Sequence, residues 1–524
     1  MGVVNADQRR PNILLVVSDQ ERARGWIPDG MVLPHRQRLI DEGLEFTRFY
    51  AHASPCSPSR ASLFTGWYVP QHGVVENVIW ETHRELDPAI PTLGHLLRGA
   101  GYRTAYLGKW HLALTNKPDM EAYGFSDWDG DDRHFMGWAG TGWHFDPVIA
   151  AQAADWLGQH AGNGAAGSGS GSGEPWFLTV ALVNPHDVMW FPIDQSSYQD
   201  AHDDEVHLAR QLLESSRWKD DETLPAFPER YDEVFDALPA NFDDDLHTKP
   251  AVQRQWLWEQ QHFLYGYLDP SDTGAWLRHL DYYWKLHQGA DESLGVVLDA
   301  LDASGAADDT IVIFTSDHGD MCGSHGLRSK GPFVYEEIMR IPLYVRVPGM
   351  TEAGTATEAL ATHVDLARTI AELAGVSEEH TAGLPGVDLS PVMASPAAPG
   401  RDHVLFAQDT GWYERCMGLR YAIRGIFDGR FKYARYYGVG GGTDHLGRPS
   451  RTPKLFDVDA AFEDHDHELY DLQEDPHELV NLAMDRGRRA ELREWFDRLR
   501  AAEAAEFADI AGAGGAGVAR DTEL

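Results

Sequence analysis

From residue 11 to 18 the chain reads Pro-Asn-Ile-Leu-Leu-Val-Val-Ser and then turns polar at Asp19-Gln20. An unbroken apolar, β-branched run of this kind, without alternation, is a strand covered on both faces. Such strands deliver polar side chains from their carboxyl ends in open α/β sheets. The same pattern recurs along the chain. Residues 102–107 run into Gly108-Lys109-Trp110-His111, residues 176–183 into Asn184-Pro185-His186-Asp187, and residues 310–315 into Ser316-Asp317-His318-Gly319-Asp320. A further run at 342–347 is closed by Pro348-Gly349. Helical stretches at 91–99 and 275–303 lie between them. The expected class is α/β: a large, mixed, mostly parallel sheet sandwiched by helices, with polar clusters gathered along one edge.

After about residue 390 the texture changes to short strands at 404–407, 420–424 and 431–434, with an amphipathic helix over 486–506. This predicts a main domain over 1–390 and a small C-terminal α+β subdomain over 391–510. The Gly/Ser run at 162–173 reads as a flexible surface loop, and the Gly/Ala-rich tail 511–524 as a flexible tail or an arm for a homo-oligomer. Residues 191–260 carry many acids and aromatics without strand periodicity, and read as an insertion over the site.

Charge narrows the partners. Against 82 Asp and Glu stand 44 Lys and Arg, a net charge of −38. That excludes nucleic acid and anionic membrane surfaces as expected partners. An anionic substrate then needs a locally positive pocket, for which Arg60, Lys109 and Lys330 are the candidates. Three cysteines (Cys56, Cys322, Cys416) do not make a disulfide framework. The first ten residues hold no apolar signal core and no run is long enough to span a bilayer, so a cytoplasmic protein is expected.

The sharpest local pattern is Cys56-Ser57-Pro58-Ser59-Arg60, continuing to Thr65-Gly66. Pro58 suits the first turn of a helix, which would set residue 56 at a helix N-terminus, where free N–H groups and the macrodipole favour an oxyanion. Arg60 adds a fixed cationic fork. Alone, the five residues leave a plain buried thiol open as a reading. Extended to Thr65-Gly66 and joined to the strand-end clusters, they resemble the signature of the sulfatase family within the alkaline phosphatase superfamily, with motifs in matching order from about residue 10 to 482.

The resemblance implies an alkaline phosphatase-like fold and a sulfuric ester hydrolase, in which Cys56 is oxidised to Cα-formylglycine by a formylglycine-generating or equivalent maturation enzyme. A hydrated aldehyde suits the chemistry: one hydroxyl attacks sulfur, and the other expels sulfate by reforming the aldehyde. The implied substrate is a small organic sulfate ester. The implied metal ligands are Asp19, Gln20, Asp317 and His318, with the residue-56 side chain, around one divalent ion, Ca²⁺ before Mn²⁺. Arg60, Lys109, His111, His186 and Lys330 take the remaining catalytic roles: Lys109 binds hydrate and sulfate oxygens, His111 acts as base in the elimination, and His186 and Lys330 face the ester oxygen. Asp-Gln and Asp-His replace the more common Asp-Asp and Asp-Asn pairs, a variant similar to choline sulfatases and phosphonate monoester hydrolases. A phosphonate monoester or phosphodiester hydrolase with the same nucleophile is therefore the alternative. For selectivity, Trp80, Trp138, Trp143 and Trp190 are candidate pocket walls, and Asp194, Asp243 and Asp244 of the insertion are expected to disfavour polyanionic sugars.

Overall fold

The computed structural model describes residues 10–79, 83–132, 137, 139–161, 174–201, 230–259, 261, 265–410, 421–437 and 460–508. The expected loop at 162–173, the tail at 511–524, Trp80, Trp138, Cys416 and residues 202–229 of the insertion lie outside the described residues.

A seven-stranded sheet forms the frame. Across it the strands run Arg103–Gly108, Trp176–Pro185, Asn12–Asp19, Thr310–Ser316, Leu343–Arg346, Leu44–Phe46 and Thr355–Thr357. All but Leu343–Arg346 point the same way, so the sheet is mixed and mostly parallel, as expected. Every residue of Asn12–Asp19 and of Trp176–Pro185 is buried. This explains why those segments read as continuous apolar runs: helices cover both faces.

The two faces have separate cores. One gathers Ile13, Leu15 and Val17 with Phe64, Tyr106 and Trp110. The other sets Leu14 and Val16 against Ile149, Leu294 and Leu298 from the helices Thr141–His160 and Thr273–Ser304. Odd and even residues of one strand thus point to opposite cores.

A four-stranded antiparallel sheet follows, Val404–Thr410, Tyr421–Phe427, Phe431–Tyr437 and Asp466–Asp471, with the helix Arg489–Glu506 packed on it through Leu492, Trp495 and Leu499. This is the small C-terminal subdomain. No described helix is long and apolar enough to cross a membrane.

Register breaks at one place that matters for the site. Ile13 through Val17 pair evenly with Phe177 through Ala181, but Asp19 then pairs with Pro185. Residues 182–184 therefore bulge away from the ladder, and such bulges re-aim the side chains that follow them.

Candidate active site

Four parallel strands end on the same side of the sheet, and each end contributes a polar group. Asp19 is the last residue of its strand. Lys109 follows Gly108, His186 follows Pro185, and Asp317 follows Ser316. Cys56 is the first residue of the helix Cys56–Thr65, whose ten residues are all buried. Lys330 is carried in from a loop and is only 2% exposed, so its ammonium group is inside the protein.

Backbone geometry at these ends is specialised. Gln20 and His111 both sit at positive φ, +67° and +60°, a conformation that non-glycine residues adopt at a cost of about 1–3 kcal/mol and mostly where function demands it. Gly108 has φ +89°, and a Cβ there would lie 2.0 Å from the carbonyl oxygen of Ala181. Only glycine lets the chain turn so close to the neighbouring strand before Lys109.

The side chains converge. Asp19 Oδ2 lies 2.7 Å from Lys109 Nζ and 3.2 Å from Arg60 Nη1, which also reaches Asp317 Oδ2 at 3.3 Å. Arg60 is completely buried, and its fork also donates to the carbonyl oxygens of Lys109 at 2.6 Å and Trp110 at 3.2 Å. Cys56 Sγ is 3.2 Å from His318 Nε2, 3.6 Å from Asp19 Oδ1 and 3.9 Å from Lys109 Nζ. The backbone N–H of Gln20 donates to Asp317 Oδ1 at 3.0 Å, while its side-chain oxygen accepts from Lys330 and its amide nitrogen donates to Asp320. Lys330 Nζ also lies 2.9 Å from His186 Nε2. His111 stands beside this group with both ring nitrogens buried and no hydrogen-bond partner among the described residues.

Electrostatics sort these groups by charge state. Burial pushes the Cys56 thiol up to about 12, with Asp19 adding to it. Burial would raise Asp317 too, but His318 and Arg60 outweigh it and hold its carboxyl well below the usual range. Burial would lower Lys109, yet Asp19 and the Cys56 position keep it above an ordinary lysine. Burial, followed by the nearby lysines Lys109 and Lys330, drives His111 and His186 well below the ordinary imidazole value, so both are neutral at pH 7. The site therefore sets its carboxylates against fixed cations and holds two neutral imidazoles that can accept a proton.

The donor set suits a divalent cation. Asp19, Cys56, Asp317 and His318 each offer one ligand atom, all within 4.8 Å of one another. Two carboxylates and an imidazole are a hard-to-borderline set. Arg60 ties the two carboxylates together, and Lys109 also pairs with Asp19.

Several supporting residues carried no readable signal. Asp132 accepts the backbone N–H groups of Trp110 at 3.0 Å and His111 at 2.8 Å, fixing the turn that presents Lys109 and His111. Asp146 accepts from Val183 N at 2.7 Å and Asn184 N at 2.9 Å, satisfying the two donors freed by the bulge before His186. Asp187 does the same for Gly142 N and Trp143 N at the start of the helix Thr141–His160. Asp320, two residues past His318, orients the Gln20 amide. Glycine again makes room: at Gly137, with φ +83°, a Cβ would lie 2.1 Å from His186 Nδ1.

The candidate selectivity residues fare differently. Trp190 is buried, with its indole N–H on the carbonyl of Gly137, and Trp143 packs on the helix Thr273–Ser304 at Gly289. Asp194 is buried against Tyr282 and Gln195, and Asp244 is paired with His325 at 2.7 Å and Lys249 at 3.6 Å. Their charge is spent inside the fold, leaving Asp243 as the exposed one of the three. Repulsion of polyanions by these acids, expected from the sequence, loses its basis for Asp194 and Asp244.

Comparison with known proteins agrees with the geometry. Residues 11–376 match the family model described as Sulfatase, and residues 323–444 that described as N-sulphoglucosamine sulphohydrolase, C-terminal. The chain is 26% identical over 509 residues to a choline-sulfatase of Rhizobium meliloti, covering 90% of this chain and 82% of that one. It is 25% identical over 517 residues to an N-acetylglucosamine-6-O-sulfatase of Bacteroides thetaiotaomicron, covering 91% and 83%. Its fold is similar to that of a phosphonate monoester hydrolase of Agrobacterium radiobacter, with a TM-score of 0.65 at 23% identity, covering 95% and 96%.

Proposed function

This chain belongs to the sulfatase family, enzymes that hydrolyse organic sulfate esters, and we propose that Cys56, converted to Cα-formylglycine, is its nucleophile. The observation that carries this reading is the setting of residue 56. It opens a fully buried helix and touches His318, Asp19 and Lys109 at once. A nucleophile placed there is activated and kept away from bulk water.

The roles follow from position. Asp19, Gln20, Asp317 and His318, with the oxygen of the modified residue 56, would hold a divalent cation, which supplies Lewis-acid polarisation of sulfate and acidifies the hydrate. Arg60 fixes Asp19 and Asp317 in place. Lys109 steadies charge on the nucleophile and on the sulfate oxygens. His111, neutral and unpartnered, takes the hydrate proton as sulfate is released. Lys330, hydrogen-bonded to His186, faces charge that grows on the departing alcohol oxygen.

Mass spectrometry of the Cys56 peptide from native-source protein tests the nucleophile. The expected result is an aldehyde in place of the thiol; sulfate ester turnover by protein with unmodified Cys56 overturns it. Comparing kcat/KM for p-nitrophenyl sulfate and a phenyl phosphonate ester tests the substrate class. A preference for the phosphonate would move the assignment to the phosphonate monoester or phosphodiester reading.

A further inference from the structure

A second cavity, of about 600 Å³, opens away from the nucleophile, between the edge of the main sheet and the C-terminal subdomain. None of the residues assigned above to catalysis or metal binding lines it. Its charged lining is Arg22, Arg48, Arg340 and Arg430 against Glu336 and Glu337. The wall is thus net positive in a chain whose net charge is −38.

The arginines are not equally committed. Arg430 is taken by Asp471 at 2.6 Å, and Arg48 lies 3.4 Å from Glu358. Glu336 is shared with Lys432 at 2.8 Å, behind the wall. Arg22 is different. It is 5% exposed and has no carboxylate within ion-pair distance among the described residues. Its Nη1 donates to the carbonyl oxygen of Met321 and to Ser324, and its Nε is buried with no hydrogen-bond partner. Its guanidinium lies 4.7 Å over the ring of Trp26, whose indole N–H is also buried and unpartnered among the described residues.

Arg340 meets the same wall. The backbone N–H of Ala23 donates to the carbonyl of Arg340 at 3.0 Å, and a Cβ built on Gly25 would meet only the Arg340 Nη2 atom, at 3.4 Å. The guanidinium of Arg340 touches Glu336 through Nε at 3.2 Å, and its two Nη groups make no hydrogen bond among the described residues. Neither guanidinium is saturated: Arg22 Nε has no hydrogen-bond partner among the described residues and the Arg340 Nη groups are open beside Glu336, so an oxyanion can take donors that the cavity's own acids leave unused. Beside polar Asn241, Ser324 and Gln473, the cavity has an apolar side made by Phe235, Leu238 and Phe427. Pockets that combine an apolar body with a few convergent polar groups are built for small molecules.

We propose that this cavity is a second binding site, for a small organic oxyanion whose carboxylate or sulfo group is held by Arg22, Arg340 and the Trp26 indole N–H, and whose apolar body lies against Phe235 and Phe427. It is separate from the sulfate pocket and does not depend on the nucleophile.

Isothermal titration calorimetry of the full-length, metal-loaded enzyme with naphthalene-2-carboxylate tests it, with inorganic sulfate as a second arm. The expected result is saturable binding of the carboxylate, weakened about tenfold by Arg340→Gln or by Trp26→Phe, each of which removes donors to the anion, and unaffected by Lys330→Met in the sulfate pocket. Arg22→Gln should abolish it. Should that buried substitution fail to fold, Arg340→Gln remains decisive, because the Arg340 side chain is 37% exposed. Weaker binding of inorganic sulfate with the same dependence on Arg340 assigns the contact to the oxyanion head. Absence of carboxylate binding, or binding indifferent to Arg340 and Trp26, overturns the proposal.

Discussion

Gly108→Ala is a small change with a calculable effect. The residue carries no chemistry, yet it stands between a central strand and Lys109. Holding an alanine at φ +89° costs about 1–2 kcal/mol. The added Cβ would lie 2.0 Å from the Ala181 carbonyl oxygen, a backbone atom that cannot swing away. Relief requires the two strands to part by about 1 Å, which stretches the bond from Lys109 N to Ala181 O, now 3.0 Å. Leaving that buried pair unmade costs about 1–3 kcal/mol more. The total is about 2–5 kcal/mol of lost stability. Lys109 Nζ, 2.7 Å from Asp19, would be misplaced by a similar distance, which corresponds to about a hundredfold loss in kcat/KM. The assay is a urea midpoint together with kcat/KM for p-nitrophenyl sulfate. Gly99→Ala is the control, because a Cβ there meets nothing within 4 Å. If Gly108→Ala matches the wild type in both measurements while remaining folded, the close-approach reasoning is wrong.

Three further outcomes are expected. Lys330→Met leaves His186 Nε2 and the Gln20 side-chain oxygen without their donor, and should lower kcat/KM by about 10²–10³, as steady-state kinetics will show. Asp146, raised to about 7 by burial despite its two backbone hydrogen bonds, has a folded pKa above its unfolded value. It therefore costs stability progressively as pH rises from about 4 to about 7, and Asp146→Asn should gain on the wild type by about 3–4 kcal/mol across that window; equal pH slopes in urea titrations would contradict this. Chelation should abolish turnover while far-UV circular dichroism stays unchanged, because Arg60 and Lys109 still neutralise Asp19 and Asp317; unfolding on chelation would show that the cations do not suffice.

The frame and the chemical groups were legible because both leave local marks. A strand buried on two faces must be apolar throughout, so the runs before Asp19, Lys109, His186 and Asp317 stood out, and the groups behind them do come together. What could not be read are the residues that act through tertiary contact alone. Asp132 and Asp146 look in sequence like any other acids of a strongly acidic chain; their meaning lies in backbone N–H groups 21 to 38 residues away. The bulge before His186 depends on register between two strands more than 150 residues apart, which no window of sequence contains. The same limit affected the insertion: Asp194 and Asp244 were expected to repel polyanions, but their partners Tyr282 and His325 come from elements far along the chain.

Cys56 is wholly inaccessible, the first residue of a helix that is itself entirely covered. This makes the order of events in the life of the molecule matter. On the proposal that residue 56 is oxidised, a maturation enzyme has to reach its side chain, and in the finished fold that side chain opens a buried helix tied through Arg60 to Asp317 and Trp110. On that proposal maturation and folding would compete in time, because a chain that folds first would be sealed with its thiol inside. The fraction of active molecules in a preparation would then be a record of a race during synthesis, fixed once and beyond correction by adding the maturation enzyme later.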